Sequence, residues 1–363
     1  MAHVDAFMEA YAGVSGSLSA QQEPTKIIKI TQVPHPGIPA APECERRAVH
    51  RSKHPRWSFD ATAHSDRPGW WFWEGRDFGV RSDPPSDYVG DDLRAVEKWS
   101  FAVLSDGDRA AAGEALFHLL RSLALVVRGV RGTRLLHASG IVRPRDGNAV
   151  LFTGAVSAGK TTLMTNAVLE HGVVPLTNDR AWIHLSNNDG APPRVHTWPS
   201  YASFCEGTLL GYPQLEEAAL AFEHGESLLR VSPNSQPLRP LFDKDSKRIY
   251  PMSWFTNAVD VRFAAEAELG VIALSRVDPT LDEPSLRELN PLHDQRDHDE
   301  IVAVLLSEQF DTSEPSFLQW HGLALDKDPI DVEDLVQGCA RSGVRFVALS
   351  LRPSDLSVLR DLL

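Results

Sequence analysis

Cysteine is scarce in this chain. Three occur in 363 residues, Cys44, Cys205 and Cys339, widely spaced and never as C-x-x-C. That pattern argues against a disulfide framework and a thiolate zinc site, and a reducing, cytoplasmic setting is the expectation. Long apolar runs are missing too. No stretch of eighteen apolar residues occurs, and no basic segment followed by an apolar run opens the chain. Neither a membrane span nor a signal peptide is expected, so membrane is left out of the partners. Positive charge is in deficit, with 36 Lys and Arg against 49 Asp and Glu and a net charge of −13. Binding to nucleic acid through bulk charge is thereby disfavoured. There is no internal repeat and no long low-complexity segment. What remains is ordinary globular composition, 42% hydrophobic and 23% charged, in a chain long enough for two domains.

The most informative stretch is Gly154-Ala155-Val156-Ser157-Ala158-Gly159-Lys160-Thr161-Thr162, which fits G-x-x-x-x-G-K-[ST]. Its setting strengthens the match. Ala149 to Thr153 is a short apolar run after the turn Arg145-Asp-Gly-Asn148, and reads as a strand. Lys160 to Glu170 reads as a helix with Leu163, Ala167 and Val168 on one stripe, stopped at Gly172. A strand, a glycine loop and a helix N-terminus aim backbone N–H groups and the helix dipole at phosphate. Lys160 is then placed for the β- and γ-phosphates and Thr161 for Mg²⁺.

The first 55 residues are poorly patterned. Lys26 to Val33 alternates like an edge strand, and Arg46 to Arg56 is a basic stretch that reads first as a solvated arm. Trp57, Trp70, Trp71 and Trp73 crowd together, suiting a small core or a peptide-contacting face. Arg109 to Val127 is patterned as a helix, and Leu135 to Val142 as a strand forming a hairpin across Asp146-Gly147. Asp179 ends the apolar run from Val173; it is read either as a turn residue or, given the loop upstream, as a metal-associated carboxylate. Gly207 to His224 reads as a broken helix. Lys244, Lys247 and Arg248 form a cationic group suited either to phosphate or to solvent. Leu269 to Ser275 is a buried strand; Asp294 to Leu306, Val332 to Cys339, Val344 to Ser350 and Ser354 to Leu363 follow as helix, helix, strand and helix. His293, Asp294, His298 and Asp299 lack the spacing of a metal cluster.

With these residues in place, Leu135 to Leu185 resembles the HPr kinase/phosphorylase family, related to phosphoenolpyruvate carboxykinases and to kinases of lasso-peptide biosynthetic clusters. The shared order is a His at the start of a hairpin (His137-Ala138), a strand ending in a phosphate loop, a helix ending at Gly172, and a strand closing on an acidic pair, here Asn178-Asp179. About fifty residues are covered well, residues 230 to 275 loosely. The resemblance implies an α/β phosphate-loop kinase domain using ATP and Mg²⁺ on a Ser or Thr hydroxyl of a peptide or small protein. It hardly reaches the first hundred residues, and the change of pattern between residues 100 and 130 sets the bounds of a kinase domain (111–363) and a smaller N-terminal domain (1–110). The resemblance implies that Gly154 through Thr162 hold nucleotide, with Arg248 a further phosphate contact. It makes Thr161 and Asp179 the metal positions, and His137, Asp179 and Lys160 the catalytic group. Relatives are often oligomeric, so a homo-oligomer is among the expectations. The family's usual pair of aspartates is here Asn178-Asp179; an amide takes no proton, which bears on the reverse, phosphorolytic reaction more than on forward transfer. Alternatives from the residues are a small-metabolite kinase and a nucleotide-binding switch without acceptor chemistry.

Overall fold

The computed structural model describes residues 133–155, 157–186, 190–197, 202–222, 237–242, 247–250, 252–307 and 331–363, together with the backbone of seven strands before them. Those strands are β1 (Val14–Ser15), β2 (Lys29–Pro34), β3 (Arg47–Arg51), β4 (Asp60–Ala63), β5 (Trp70–Trp73), β6 (Phe78–Asp83) and β7 (Ser100–Ser105). β2 to β7 form one sheet in the order β2-β7-β6-β5-β4-β3, and the expected edge strand β2 does lie at an edge. The Arg109–Val127 helix, Val156 and Lys244 fall outside the described residues.

The later strands are β8 (Thr133–Leu136), β9 (Ala138–Val142), β10 (Ala149–Thr153), β11 (Val174–Thr177), β12 (Ala181–His184), β13 (Arg194–Thr197), β14 (Ala202–Cys205), β15 (Lys247–Tyr250), β16 (Phe263–Ala264), β17 (Glu266–Val277), β18 (Ser285–Leu289) and β19 (Arg345–Leu351). The helices are α1 (Lys160–His171), α2 (Glu206–Leu210), α3 (Pro213–Ala221), α4 (Met252–Val259), α5 (Gln295–Ser307) and α6 (Val332–Arg341). The C-terminal helix expected from Ser354 shrinks to a 3₁₀ turn at Ser357–Asp361. The broken helix after Gly207 is α2 and α3, parted before Pro213, which sits in the first turn of α3 where its missing N–H costs nothing.

The result is a mixed α/β architecture with a nine-stranded sheet among the described residues. β17 is its spine. The C-terminal part pairs in parallel with β10 on one side and β19 on the other, while Glu266–Glu268 pairs antiparallel with β13. β10, β17 and β19 are near-continuous apolar runs because both faces of the sheet are covered. Val150 and Phe152 pack with Leu163 and Ala167 of α1, while Ala149 and Leu151 pack in a second core with Leu335 and Val336 of α6. Three parallel strands therefore end side by side at one edge. That edge is where α/β sheets present loops to ligands.

Two antiparallel strands also cross the fold together. β9 pairs with β11, and β8 with β12; the register shifts between Pro175 and Thr177 and then holds across the break (Thr177↔Gly140, then Ala181↔Leu136). The sequence pattern predicts one strand over Leu135–Val142; the structure interrupts it at His137. Opposite that interruption lies Asn178-Asp179-Arg180. Asp179 has φ +72°, a left-handed conformation that Asp tolerates better than most residues, and the Thr177 hydroxyl donates to the Arg180 carbonyl across the turn.

Candidate functional site

The glycine loop leaves β10 at its carboxyl end, between β9 and β17. Gly154 has φ +143°, and a Cβ there would stand 2.5 Å from the Ser275 carbonyl oxygen. Gly159 has φ +84°, and a Cβ would collide with Val277. Both positions need glycine for space as well as for conformation. The loop is tied to β17 by Val277 N–H donating to the Ala158 carbonyl at 3.1 Å, and by Ser275 Oγ donating to the Thr153 carbonyl at 2.8 Å. Residues Ser157 through Thr162 open onto a cleft of about 410 Å³, with Val277, Pro279 and Pro353 on the sheet edge beside them.

Lys160 is nearly buried. Its ammonium folds back onto the loop, donating to the Gly154 carbonyl and, at 3.1 Å, to that of Ala155. A cation held on carbonyls at the loop's mouth is a charge available to an entering phosphate. Thr161, at the helix N-terminus, donates its hydroxyl to Asn178 Oδ1 at 3.0 Å, and Ser139 Oγ donates to the same oxygen at 3.0 Å. Asn178 is 1% exposed and its Nδ2 has no hydrogen-bond partner.

His137 and Asp179 meet at the strand corner, with His137 Nε2 3.3 Å from Asp179 Oδ1, and both line the cleft. Arg180 Nε lies 3.5 Å from the other Asp179 oxygen. His137, Lys160, Thr161 and Asp179 thus line one cleft. Asn178, not Asp179, holds the Thr161 hydroxyl, while Asp179 stands with His137. Neither contact is readable from a linear motif.

Arg248 departs from its expected place. It is buried, with Nε donating to Glu206 Oε1 at 2.8 Å, and Glu206 also accepts from Arg239 N and Nε at 3.0 and 3.1 Å. Burial works to raise the Glu206 carboxyl, but the hydrogen bonds from Arg248 and Arg239 outweigh it and hold the group below its usual range. Strand alternation along β15 gives the cleft Lys247 instead. Lys247 belongs to the expected cationic group, but a period of two does not say which neighbour faces in. The remaining wall comes from β14 and α2, with Ser203, Cys205 and Thr208 on the cleft and Thr208 Oγ1 3.0 Å from Thr162 Oγ1. Sequence reasoning missed this wall, for it contains no motif.

No group of three or more His, Cys, Asp or Glu side chains suited to a metal occurs among the described residues. His293 to Asp299 serves structure there: Asp294 accepts from Arg296 N, and Asp297 from Arg287 and Asn290 N. The donors at the cleft fit a hard cation shared with phosphate. The Thr161 hydroxyl gives its hydrogen to Asn178 and keeps its lone pairs, and Asp179 supplies one partly exposed carboxylate.

The site and fold define a mixed α/β protein with a glycine loop at the carboxyl edge of its parallel strands. No known family profile matches the chain, and no curated protein does. Among solved structures it is similar to the HPr(Ser) kinase/phosphatase from Coxiella burnetii, at 13% identity and a TM-score of 0.27, over 63% of this chain and 92% of that one.

Proposed function

We propose that this chain is an ATP- and Mg²⁺-dependent kinase transferring the γ-phosphoryl group to a Ser or Thr hydroxyl of a peptide or small protein. The supporting observation is the placement of the Lys160–Thr161 helix start and the His137–Asp179 pair on one cleft. Gly154 to Thr162 would hold the phosphates, and Lys160 would leave the loop carbonyls to meet the β- and γ-oxygens. Thr161 and Asp179 would hold Mg²⁺, which when bound neutralises charge on those oxygens. Asp179 accepts the acceptor's hydroxyl proton as the new O–P bond forms and the bond from the γ-phosphorus to the β–γ bridging oxygen breaks, releasing ADP. His137 orients that carboxylate. The acceptor class rests on the family resemblance; the division near residue 110 rests on the change of pattern there, and the substrate role of the N-terminal region on its crowded tryptophans.

The test is transfer from γ-labelled ATP with Mg²⁺ to Ser- and Thr-containing peptides, with free serine in parallel. Label in peptide is expected. Label in free serine alone would make this a small-metabolite kinase, and nucleotide binding without any labelled product would make it a switch. Asp179→Asn should cut turnover by roughly two to four orders of magnitude, the scale of a positioned general base, while ATP still binds. Full turnover in that variant would remove Asp179 from the chemistry.

A further inference from the structure

Phe242 is a cleft side chain with no part in that chemistry. Phe242 is a large apolar ring left 47% exposed, and it lines the same cleft as the loop. Among the described lining residues it is the one benzenoid ring. Its seat is specific. The ring edge lies against Gly207, where a Cβ would come within 2.6 Å of Cε2 and Cζ, and the Gly207 N–H donates to the Leu241 carbonyl at 2.8 Å.

The path from the loop to this ring is continuous. With Lys160 and Thr161 at the β- and γ-phosphates, Thr162 is the next residue into α1. Thr162 is hydrogen-bonded to Thr208, which adjoins Gly207 beneath Phe242. The reacting pair His137 and Asp179 comes instead from the strand corner. A nucleotide with its γ-phosphate at Asp179 has its nucleoside end left for the β14–α2 wall. An exposed aromatic face there meets the flat face of a base, which every base has.

We infer that Phe242 is the base platform: a nucleotide bound on the loop stacks its base on this ring, and Gly207 sets the ring's position. The inference rests on the reading of Gly154 to Thr162 as a phosphate loop. A ring reads a π-face rather than a base edge, so by itself it distinguishes ATP from GTP little.

Calorimetry with Mg²⁺-ATP and with Mg²⁺-tripolyphosphate separates base from phosphate. Wild type should bind both. Phe242→Ala should raise the Kd for ATP about 5- to 150-fold, the scale of one base–aromatic stack, and leave that for tripolyphosphate unchanged. Phe242→Trp should keep ATP binding. Gly207→Ala, which pushes the ring off its seat, should imitate Phe242→Ala, with thermal melting run to show that both variants fold. Equal loss of both ligands, no loss of either, or an effect confined to the acceptor KM overturns the platform and leaves the loop standing. If wild type binds neither ATP nor tripolyphosphate, the loop reading fails and the platform goes with it.

Discussion

Asn178 shows how one atom type changes a site. Its Oδ1 gathers the hydroxyls of Ser139 and Thr161, and its Nδ2 is buried without a partner. An aspartate there would keep both hydrogen bonds while placing a charge at a position 1% exposed, with one oxygen lacking a protein donor. That burial makes Asn178→Asp costly to folding. The variant should lose roughly 1–3 kcal/mol of stability as the free protein, and Mg²⁺ with ATP should recover much of that loss. Urea unfolding with and without the ligand reads it. Equal loss in both conditions would mean that no cation comes near residue 178.

At the scale of elements, the wall facing the loop is held by charge. Glu206 on α2 reaches Arg248 on β15 at 2.8 Å and Arg239 at 3.1 Å, with Glu206 and Arg248 both buried. Removing one partner of a buried pair leaves the other unpaired. Glu206→Gln should therefore cost about 3 kcal/mol, measured by chemical denaturation, and should weaken ATP binding by loosening α2. The carboxyl is depressed in the folded state, so its stabilisation is present above its unfolded value of about 4 and is lost as pH falls through the folded value. Wild type and variant should draw together in stability as pH falls from about 4 through the lowered folded value. A difference constant from pH 7 to pH 3 would contradict this.

For the whole molecule, the proposed division leaves nucleotide chemistry to residues 111–363 and acceptor recognition to residues 1–110. The chain without residues 1–110 should bind Mg²⁺-ATP as the full chain does and lose peptide phosphorylation. It should also lose the pairing of β1 with β16 over Val14–Ser15. Loss of ATP binding in a folded truncated chain would place nucleotide contacts in the first 110 residues.

The local parts were legible in sequence for local reasons. Gly154 and Gly159 are set by the space beside Ser275 and Val277. α1 is bounded by Gly172, and the buried runs of β10 and β17 have one place to go. The juxtapositions were not legible. His137 meets Asp179 because two paired strands are interrupted opposite each other at one corner. Asn178 takes Thr161, Arg248 turns to Glu206 while Lys247 faces the cleft, and Phe242 reaches it across Gly207. Each depends on contacts between residues far apart in the chain, and on which face of a strand is buried. A sequence states periodicity and composition but not the register that decides those faces; packing decided them here.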